Sequence, residues 1–276
     1  MTIVWALAIV AAAVALAVSA LLLVRRRAPD GGFFTNGDRA AGVFGVLATG
    51  FSVLLGLIVF LAFTSYDQSR SGAESEALLV VQQFETAQFF PVAVRRQLGE
   101  DLLCYARYVV NEEWPKMQAG TQGDAFNPWG VAMFQTLKRT SPKSVSEQAA
   151  YSEFLDRRAD REVARRDRIH GASGVIPGPL WIVLFFIAGV IFVFMLFFAD
   201  SGESALVQAV QIGSVAAVIA ATLLLIESLD SPVRSGYGGL RPAAMERSLA
   251  TLGQERRLVR QTGPLPCDTQ GAPTGS

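Results

Sequence analysis

Four long stretches of the chain contain no Asp, Glu, Lys or Arg, and they constrain the fold more than any other feature of the sequence. They cover residues 2–24, 40–66, 179–199 and 204–226. At 1.5 Å per residue, about 20 helical residues cross a hydrocarbon core of about 30 Å. The sequence therefore predicts an all-α integral membrane protein with four transmembrane helices. We place the spans at about 3–24, 43–64, 179–199 and 205–226.

The segments between these spans predict two transmembrane hairpins on either side of a helical soluble domain. The expected divisions are a first hairpin at 1–66, the soluble domain at 67–177, a second hairpin at 178–227, a juxtamembrane turn and amphipathic helix at 228–260, and a tail at 261–276. The tail is rich in Pro, Gly, Ser and Thr, a composition typical of disorder. We therefore expect it to be disordered.

The first apolar stretch also invites comparison with a secretory signal peptide. No basic residue precedes it, it exceeds the usual length, and Arg25, Arg26 and Arg27 follow it. These features favour a retained membrane helix.

Within the soluble domain, the second membrane helix is expected to continue beyond the bilayer, because no proline occurs before Pro91. A further helix carries an apolar face at Leu98, Leu102, Tyr105 and Val109 and is predicted to end near 113–115. Residues 156–170 contain six arginines and four acids. They are interpreted as a solvated helix face, with attraction of anionic lipid headgroups or solutes as the alternative.

Composition argues against most enzymatic chemistry. Basic and acidic residues balance at 24 each, so no overall field recruits nucleic acid. His170 is the single histidine, and no metal-ligand spacing, nucleotide loop or nucleic-acid motif occurs. We expect no enzyme activity, no cofactor and no metal. The cysteines, Cys104 and Cys267, are interpreted as a packed helix thiol and a thiol in the disordered tail, although a disulfide is an alternative.

Small residues form a stripe on the second span. Ala48, Ser52 and Gly56 recur every four positions, with Gly45 and Thr49 beside them. Such a stripe allows close helix packing in lipid. The alternative is a constriction beside a pore, with Thr49 and Ser52 as pore-lining candidates.

Polar residues at the fourth span supply the other candidates. Gln208, Gln211 and Ser214 are spaced by three and are expected to face other helices or a hydrated path, since unpaired amides are costly in lipid. Asp230 directly follows the span. It is expected either to end the helix in a turn before Pro232 or to act at a gate or a contact with the soluble domain.

Orientation follows from the basic residues near the spans. Four spans place both termini and the soluble domain on one side of the membrane. The first connection carries Arg25, Arg26, Arg27 and Arg39, and the C-terminal flank carries Arg234, Arg241 and Arg247. The arginine triplet favours a cytoplasmic first connection, and hence an N-terminus outside.

In the order of its motifs, the chain resembles a bacterial family of four-helix membrane proteins described as bestrophin-like. The matching pieces are 44–47, Tyr66-Asp67, Glu74, 76–78, 113–115, 179–181 and 229–232 leading to Gly236. The resemblance implies a homo-oligomeric, pentameric anion channel whose second helix lines a hydrophobic neck, with Phe60 and Phe63 as candidates. It also implies a cytoplasmic soluble domain. An acidic calcium-binding run of the kind found in eukaryotic bestrophins does not occur in the tail.

Two functions remain open on the sequence. The first is an oligomeric ion channel, with anions as the expected ions. The second is a non-conducting membrane scaffold or sensor whose soluble domain binds a protein partner of unknown identity. The lack of charge inside the four spans argues against ion-coupled transport and proton relays under either interpretation.

Overall fold

The computed structural model describes residues 3–121, 126–233, 239–261 and 263–274, and every regular element in these ranges is a helix. Arg234 and Gly236, used in the sequence arguments, lie outside the described residues, as do parts of the 120–127 connection and the tail. The helices are α1 (Ile3–Arg25), α2 (Gly37–Ala87), α3 (Val92–Tyr108), α4 (Trp114–Gln118), α5 (Pro128–Lys138), α6 (Val145–Gly171), α7 (Gly178–Leu196), α8 (Ala205–Asp230) and α9 (Ala243–Leu258).

The chain divides into two compact units. The membrane unit contains residues 3–65 and 174–231, and the soluble unit contains 66–173, 232–233, 239–261 and 263–274. α2 is an uninterrupted helix of 51 residues that contributes to both. No proline occurs between Gly37 and Ala87, so nothing in the sequence interrupts the helix near Tyr66.

Among the described residues, four helices are long and apolar enough to cross a membrane: α1, α2, α7 and α8. Phe51 and Ile58 of α2 pack with Leu184 and Ile191 of α7 and with Ile226 of α8. In each of α2 and α7, the two side chains are spaced so that they lie on one face of the helix. The two faces are buried against each other.

α1 packs along α8 in the same unit. Leu21 and Ile212 are buried together, and Gly213 allows the two helices to approach closely. A Cβ atom at Gly213 would lie 3.4 Å from Val14 Cγ1 and 3.5 Å from Val18 Cγ2. A larger side chain would separate the helices, as expected for a small residue at a membrane helix interface.

Hydrogen bonds join the first connection to the α7–α8 hairpin. Arg25 Nε donates to the Asp200 carbonyl at 3.0 Å, and the Gly31 N–H donates to Asp200 Oδ1, also at 3.0 Å. Ser201 donates to Asp30 Oδ1 at 2.5 Å. These contacts fix both connections at one end of the membrane unit.

The soluble unit is built on one apolar core between α2, α3, α5, α6 and α9. Its fully buried members include Val80, Phe84, Leu98, Leu102, Tyr105, Met133, Leu137, Phe154 and Leu252. The periodic face of α3 therefore lies in the core.

The helix does not end near 113–115 as predicted, because it continues through a π-helical turn at Val109–Glu113 into α4. Pro115 has no backbone N–H to donate, and the wider π-helical turn before it accommodates the missing hydrogen bond.

The predicted disordered tail is wrong for the described residues. Cys267 forms a disulfide with Cys104 of α3 across 163 residues of sequence, with a Cα–Cα distance of 5.8 Å. Trp129 Nε1 donates to the Gly271 carbonyl at 2.7 Å, and Asp268 Oδ1 accepts from the Ala272 N–H at 2.8 Å. The interpretation of the two cysteines as separate thiols is corrected accordingly. Composition indicated disorder because it carries no information about a disulfide that forms between segments distant in the sequence.

Candidate functional site

One face of α2 within the membrane unit is left uncovered by the chain. The stripe consists of Gly45, Thr49, Ser52, Gly56, Phe60 and Phe63, all of them exposed. At 100° per residue these positions fall within about 80° of the helix circumference, so they form a single line. We call this line the α2 stripe.

The chemistry of the α2 stripe changes along its length. From Gly45 to Gly56, about three helical turns, it carries only small side chains, and its far end carries the rings of Phe60 and Phe63, which are 64% and 53% exposed. Phe51 and Ile58, which pack against α7 and α8, lie on the opposite side of the helix. The stripe is therefore free to face lipid, another copy of the chain or an aqueous path.

The three polar candidates on α8 do not share one environment. Gln208 is buried, and its Nε2 donates to the Asp200 carbonyl at 2.9 Å and to Glu203 Oε2 at 3.0 Å. Gln211 is exposed and lines a cavity of about 440 Å³ with Gln208. Ser214 is exposed and donates to the Val210 carbonyl of its own helix. Each step of three residues rotates the position around the helix by about 60° backwards. Ser214 therefore lies about 120° from Gln208.

Asp230, the last residue of α8, contacts the segment that leads into α7. Its Oδ1 accepts hydrogen bonds from the backbone N–H groups of Val175 at 2.7 Å and Ile176 at 3.0 Å. Gly174 precedes them with φ +77°, and a Cβ there would lie 3.1 Å from the Asp230 carbonyl oxygen. The carboxylate thus joins the second hairpin at the end opposite its connecting turn.

A second cluster of functional groups is buried in the soluble unit, and sequence reasoning missed it. Arg168 Nε lies 2.5 Å from Glu76 Oε2, and its Nη2 lies 2.5 Å from Glu113 Oε2. Tyr105 donates to Glu76 Oε1 at 2.5 Å, and Arg165 lies 3.2 Å from Glu113 Oε1. Two arginines and two glutamates therefore balance in charge inside the core. We call this group the buried ion cluster.

The interpretation of the 156–170 run as a solvated face is wrong for two of its six arginines. Arg161 and Arg168 are fully buried, on the same side of α6 as Ala150 and Phe154. Residues 150, 154, 161 and 168 fall within about 40° of one another around the helix. The helical register gives this signal in the sequence, but the high charge content of the run obscures it.

Gly72 explains how α2 and α6 approach closely enough for the cluster to form. A Cβ at this position would lie 2.6 Å from the Arg168 backbone nitrogen and 2.7 Å from the Ala164 carbonyl oxygen. Ser69 donates to the Arg168 carbonyl at 2.8 Å. Glu76 is one helical turn beyond Gly72, so it meets Arg168 directly.

The electrostatics of the cluster favour the charged forms of Glu113 and Arg168. Burial acts to raise the pKa of Glu113, but the charges of Arg168 and Arg165 and their hydrogen bonds outweigh it, so this pKa is lowered. Burial acts to lower the pKa of Arg168, and Glu76 and Glu113 reverse that effect, so this pKa is raised. Burial and the neighbouring Glu76 raise the pKa of Tyr105, which stays a hydrogen-bond donor. Such an arrangement is suited to holding α2, α6 and the π-helical turn in register.

Two pairs of membrane-crossing helices and a helical soluble unit define the class of a polytopic, all-α membrane protein. A family model described as the bestrophin-like domain matches residues 3–238, and the chain belongs to this bestrophin-like family. The family predicted from the order of the motifs is confirmed. Two of those motifs, at Glu76 and Glu113, supply the acids of the buried ion cluster.

Solved structures support the fold. One variant of a bacterial bestrophin homologue from Klebsiella pneumoniae matches with a TM-score of 0.62 and 12% identity, covering 92% of this chain and 99% of that chain. A second variant of the homologue from this organism gives 0.64 and 11%, covering 88% and 98%. A structure described as a membrane protein variant gives 0.64 and 10%, covering 89% and 98%. No curated protein matches the chain.

Proposed function

We propose that this chain is one subunit of a homo-oligomeric ion channel in the cell membrane, with the α2 stripe facing the conduction path. The observation that carries the proposal is the exposed line from Gly45 to Phe63 on the side of α2 away from its own subunit's core. Several copies arranged around an axis would bring these lines together. The family resemblance also implies a channel, which supports the same function.

The α2 stripe has the chemistry of a gated path. Small side chains at Gly45, Thr49 and Gly56 leave room, whereas a ring of Phe60 and Phe63 side chains would narrow the path with apolar surface. Hydrophobic constrictions of this kind gate by dewetting.

Anions are the proposed permeant ions. α2 carries no acid between Asp38 and Asp67, so no carboxylate ring of the kind used by cation channels lies along the stripe.

The test combines assembly with flux. The purified protein is placed in nanodiscs for a native mass measurement, and in liposomes loaded with chloride for an efflux measurement. We expect a closed ring of copies and chloride efflux above that of protein-free liposomes. A monomer would contradict the proposal. An intact ring without flux of any ion would instead favour the non-conducting scaffold or sensor whose soluble unit binds a partner.

We also propose that the soluble unit and both termini face the outside of the cell. The Cys104–Cys267 disulfide supports this orientation, because disulfides persist in oxidising compartments and are rare in the cytosol. The same orientation places the first connection in the cytoplasm with its four arginines, as the positive-inside rule favours. It is opposite to the cytoplasmic soluble domain that the family resemblance implies.

Single cysteines in a Cys104→Ser, Cys267→Ser background test the orientation in right-side-out membrane vesicles. Thr35→Cys reports on the first connection and Gln148→Cys on the soluble unit, and both positions are exposed. A membrane-impermeant maleimide should label Gln148→Cys and not Thr35→Cys, with the reverse in inverted vesicles. The opposite pattern would reverse the orientation while leaving the channel proposal intact.

A further inference from the structure

A cavity in the soluble unit lies between the first turn of α5 and the exposed side of α6. Its volume is about 450 Å³. α5 contributes residues at its N-terminal end, including Gly130 and Val131, and α6 contributes Arg158, Arg165 and Arg166 together with Glu162. Three guanidinium groups and one carboxylate therefore meet in one concave surface.

Two of these arginines have unused donor capacity. Arg158 stacks over the ring of Phe134, with its Cζ 4.7 Å from the ring centroid, and its buried Nε has no hydrogen-bond acceptor among the described residues. Arg166 is exposed and makes no hydrogen bond or ion pair with another described residue. Arg165 differs, because it is held by Glu113.

A fully buried arginine stands directly behind the cavity wall. Arg161 has no exposed surface, and neither its Nε nor its Nη2 has a hydrogen-bond acceptor among the described residues. A Cβ at Gly130, which lines the cavity, would lie 3.8 Å from Arg161 Nη2. Glu162 Oε1 approaches this Nη2 only to 3.5 Å. Arg161 Nη1 also donates to Gln83 Oε1 at 2.7 Å, and the ion pair between Arg161 and Glu162 already engages the carboxylate that lines the cavity.

The positive end of α5 adds to this field. The Asn127 side chain caps the helix by accepting from the Trp129 N–H at 3.1 Å. The N-terminus of an α-helix carries a partial positive charge that favours anions. Glu162 is the only acid that lines the cavity in the part of the chain that the structure describes, so cationic groups are in excess.

We propose that this cavity binds a small oxyanion, a phosphate or a carboxylate, through Arg158 and Arg166. Planar guanidinium groups bind both kinds of oxyanion with paired hydrogen bonds. The exposed side chains of Val131 and Val163 at the rim would accept the apolar part of an organic ligand. The site is separate from the α2 stripe and does not depend on conduction.

Binding is tested on the full-length protein in nanodiscs, by calorimetric titration and by thermal unfolding. The probes are inorganic phosphate and succinate, with sodium chloride at equal ionic strength as the reference. We expect at least one probe to bind and to raise the apparent Tm above the chloride reference. Stabilisation by phosphate alone identifies the phosphate class, and stabilisation by succinate alone identifies the carboxylate class. Stabilisation no greater than that of chloride for both probes would overturn the proposal.

Three variants locate the site. Arg158→Gln and Arg166→Gln should each weaken binding by about tenfold or more, because each removes hydrogen bonds from a charged donor. Arg139→Gln makes the same change of charge at an exposed position outside the cavity and should bind as the unmodified protein does. Equal weakening in Arg139→Gln would show a general charge effect and contradict the assignment.

A fourth variant keeps every arginine. Val131→Asp places a carboxylate at the exposed rim of the cavity, where it should occupy the guanidinium groups and reduce binding of the added probe. Unchanged binding in this variant, with the protein folded, would place the probe elsewhere.

Discussion

Arg168 of α6 and Glu76 of α2 form an ion pair that is sealed inside the soluble unit, with 2.5 Å between Nε and Oε2 and at most 1% of either side chain exposed. The pair links the two longest helices of the soluble unit. Since a buried charge without its partner is costly, the pair makes the register of α2 against α6 sensitive to a single substitution.

Arg168→Met should strongly destabilise the soluble unit. It leaves Glu76 and Glu113 buried without their shared cation, at a cost of about 3–5 kcal/mol. We expect the apparent Tm in detergent to fall by on the order of 10 °C. Arg70→Met is the matched control, because its pairing with Glu74 is exposed. A loss in Arg168→Met no larger than in the control would contradict the role of the cluster.

Gly72→Ala should separate α2 from α6. The added Cβ would lie 2.6 Å from the Arg168 backbone nitrogen, and a backbone atom cannot swing aside as a side chain can. The expected loss is about 1–3 kcal/mol, the usual cost of overpacking. Gly253→Ala in α9 has nothing within 4 Å and should be neutral or stabilising. Thermal unfolding of both variants checks this contrast, and equal behaviour would exclude a tight contact at Gly72.

Asp101→Asn should stabilise the protein at pH 8 and have much less effect at pH 4. Asp101 is fully buried, and its burial raises its pKa to about 7, although the hydrogen bond from Gln97 acts to lower it. The unfolded pKa of an aspartate is about 3.9. Between about pH 4 and 7 the folded protein therefore holds a proton that the unfolded chain has lost, and stability decreases as pH rises through this window.

The asparagine variant removes this dependence, because it is neutral at every pH. We expect the gain at pH 8 to exceed that at pH 4 by about 3–4 kcal/mol. Apparent Tm measured from pH 4 to pH 8 reports the change, with the exposed Asp156→Asn as the control. A slope for Asp101→Asn that matches that of the unmodified protein would show that Asp101 does not titrate in this range.

Asp230→Ala should loosen the entry to α7, since it removes the acceptor for the Val175 and Ile176 N–H groups. Asp230→Asn keeps an acceptor oxygen at the same place and should retain most of the stability. Measuring oligomer yield separately from ion flux distinguishes a positioning role from a gating role. If Asp230→Ala assembles as fully as Asp230→Asn but alters flux, the gate is favoured; a matched loss of assembly and flux favours positioning.

The four spans and the continuation of α2 were predictable because both depend on local composition. Uninterrupted apolar runs specify membrane helices, and the absence of proline before Pro91 allows α2 to continue to Ala87. The buried ion cluster was not predicted, because the partners of Arg168 lie 92 and 55 residues away. Charge composition indicated solvent, whereas the position of Arg168 on the Phe154 face of α6 indicated the core.

The tail and the polar residues of α8 show the same division. Residues 263–274 have the composition of a disordered segment, but Cys267 is bonded to Cys104 on α3. Gln208, Gln211 and Ser214 look equivalent by spacing, yet only Gln208 is buried, because the α7–α8 turn folds over it. In both cases the outcome depends on contacts between segments that no local pattern encodes.

Conductance across a planar bilayer tests the central claim most directly. Phe60→Ala and Phe63→Ala should each increase single-channel conductance or open probability, because they remove apolar surface from the proposed constriction. Leu57→Ala is the matched control, since Leu57 is exposed to a similar degree but lies beside the α2 stripe. Chloride currents in the unmodified protein that rise in both phenylalanine variants and stay unchanged in Leu57→Ala are the predicted result. Assembled protein that carries no current in any variant would contradict the account.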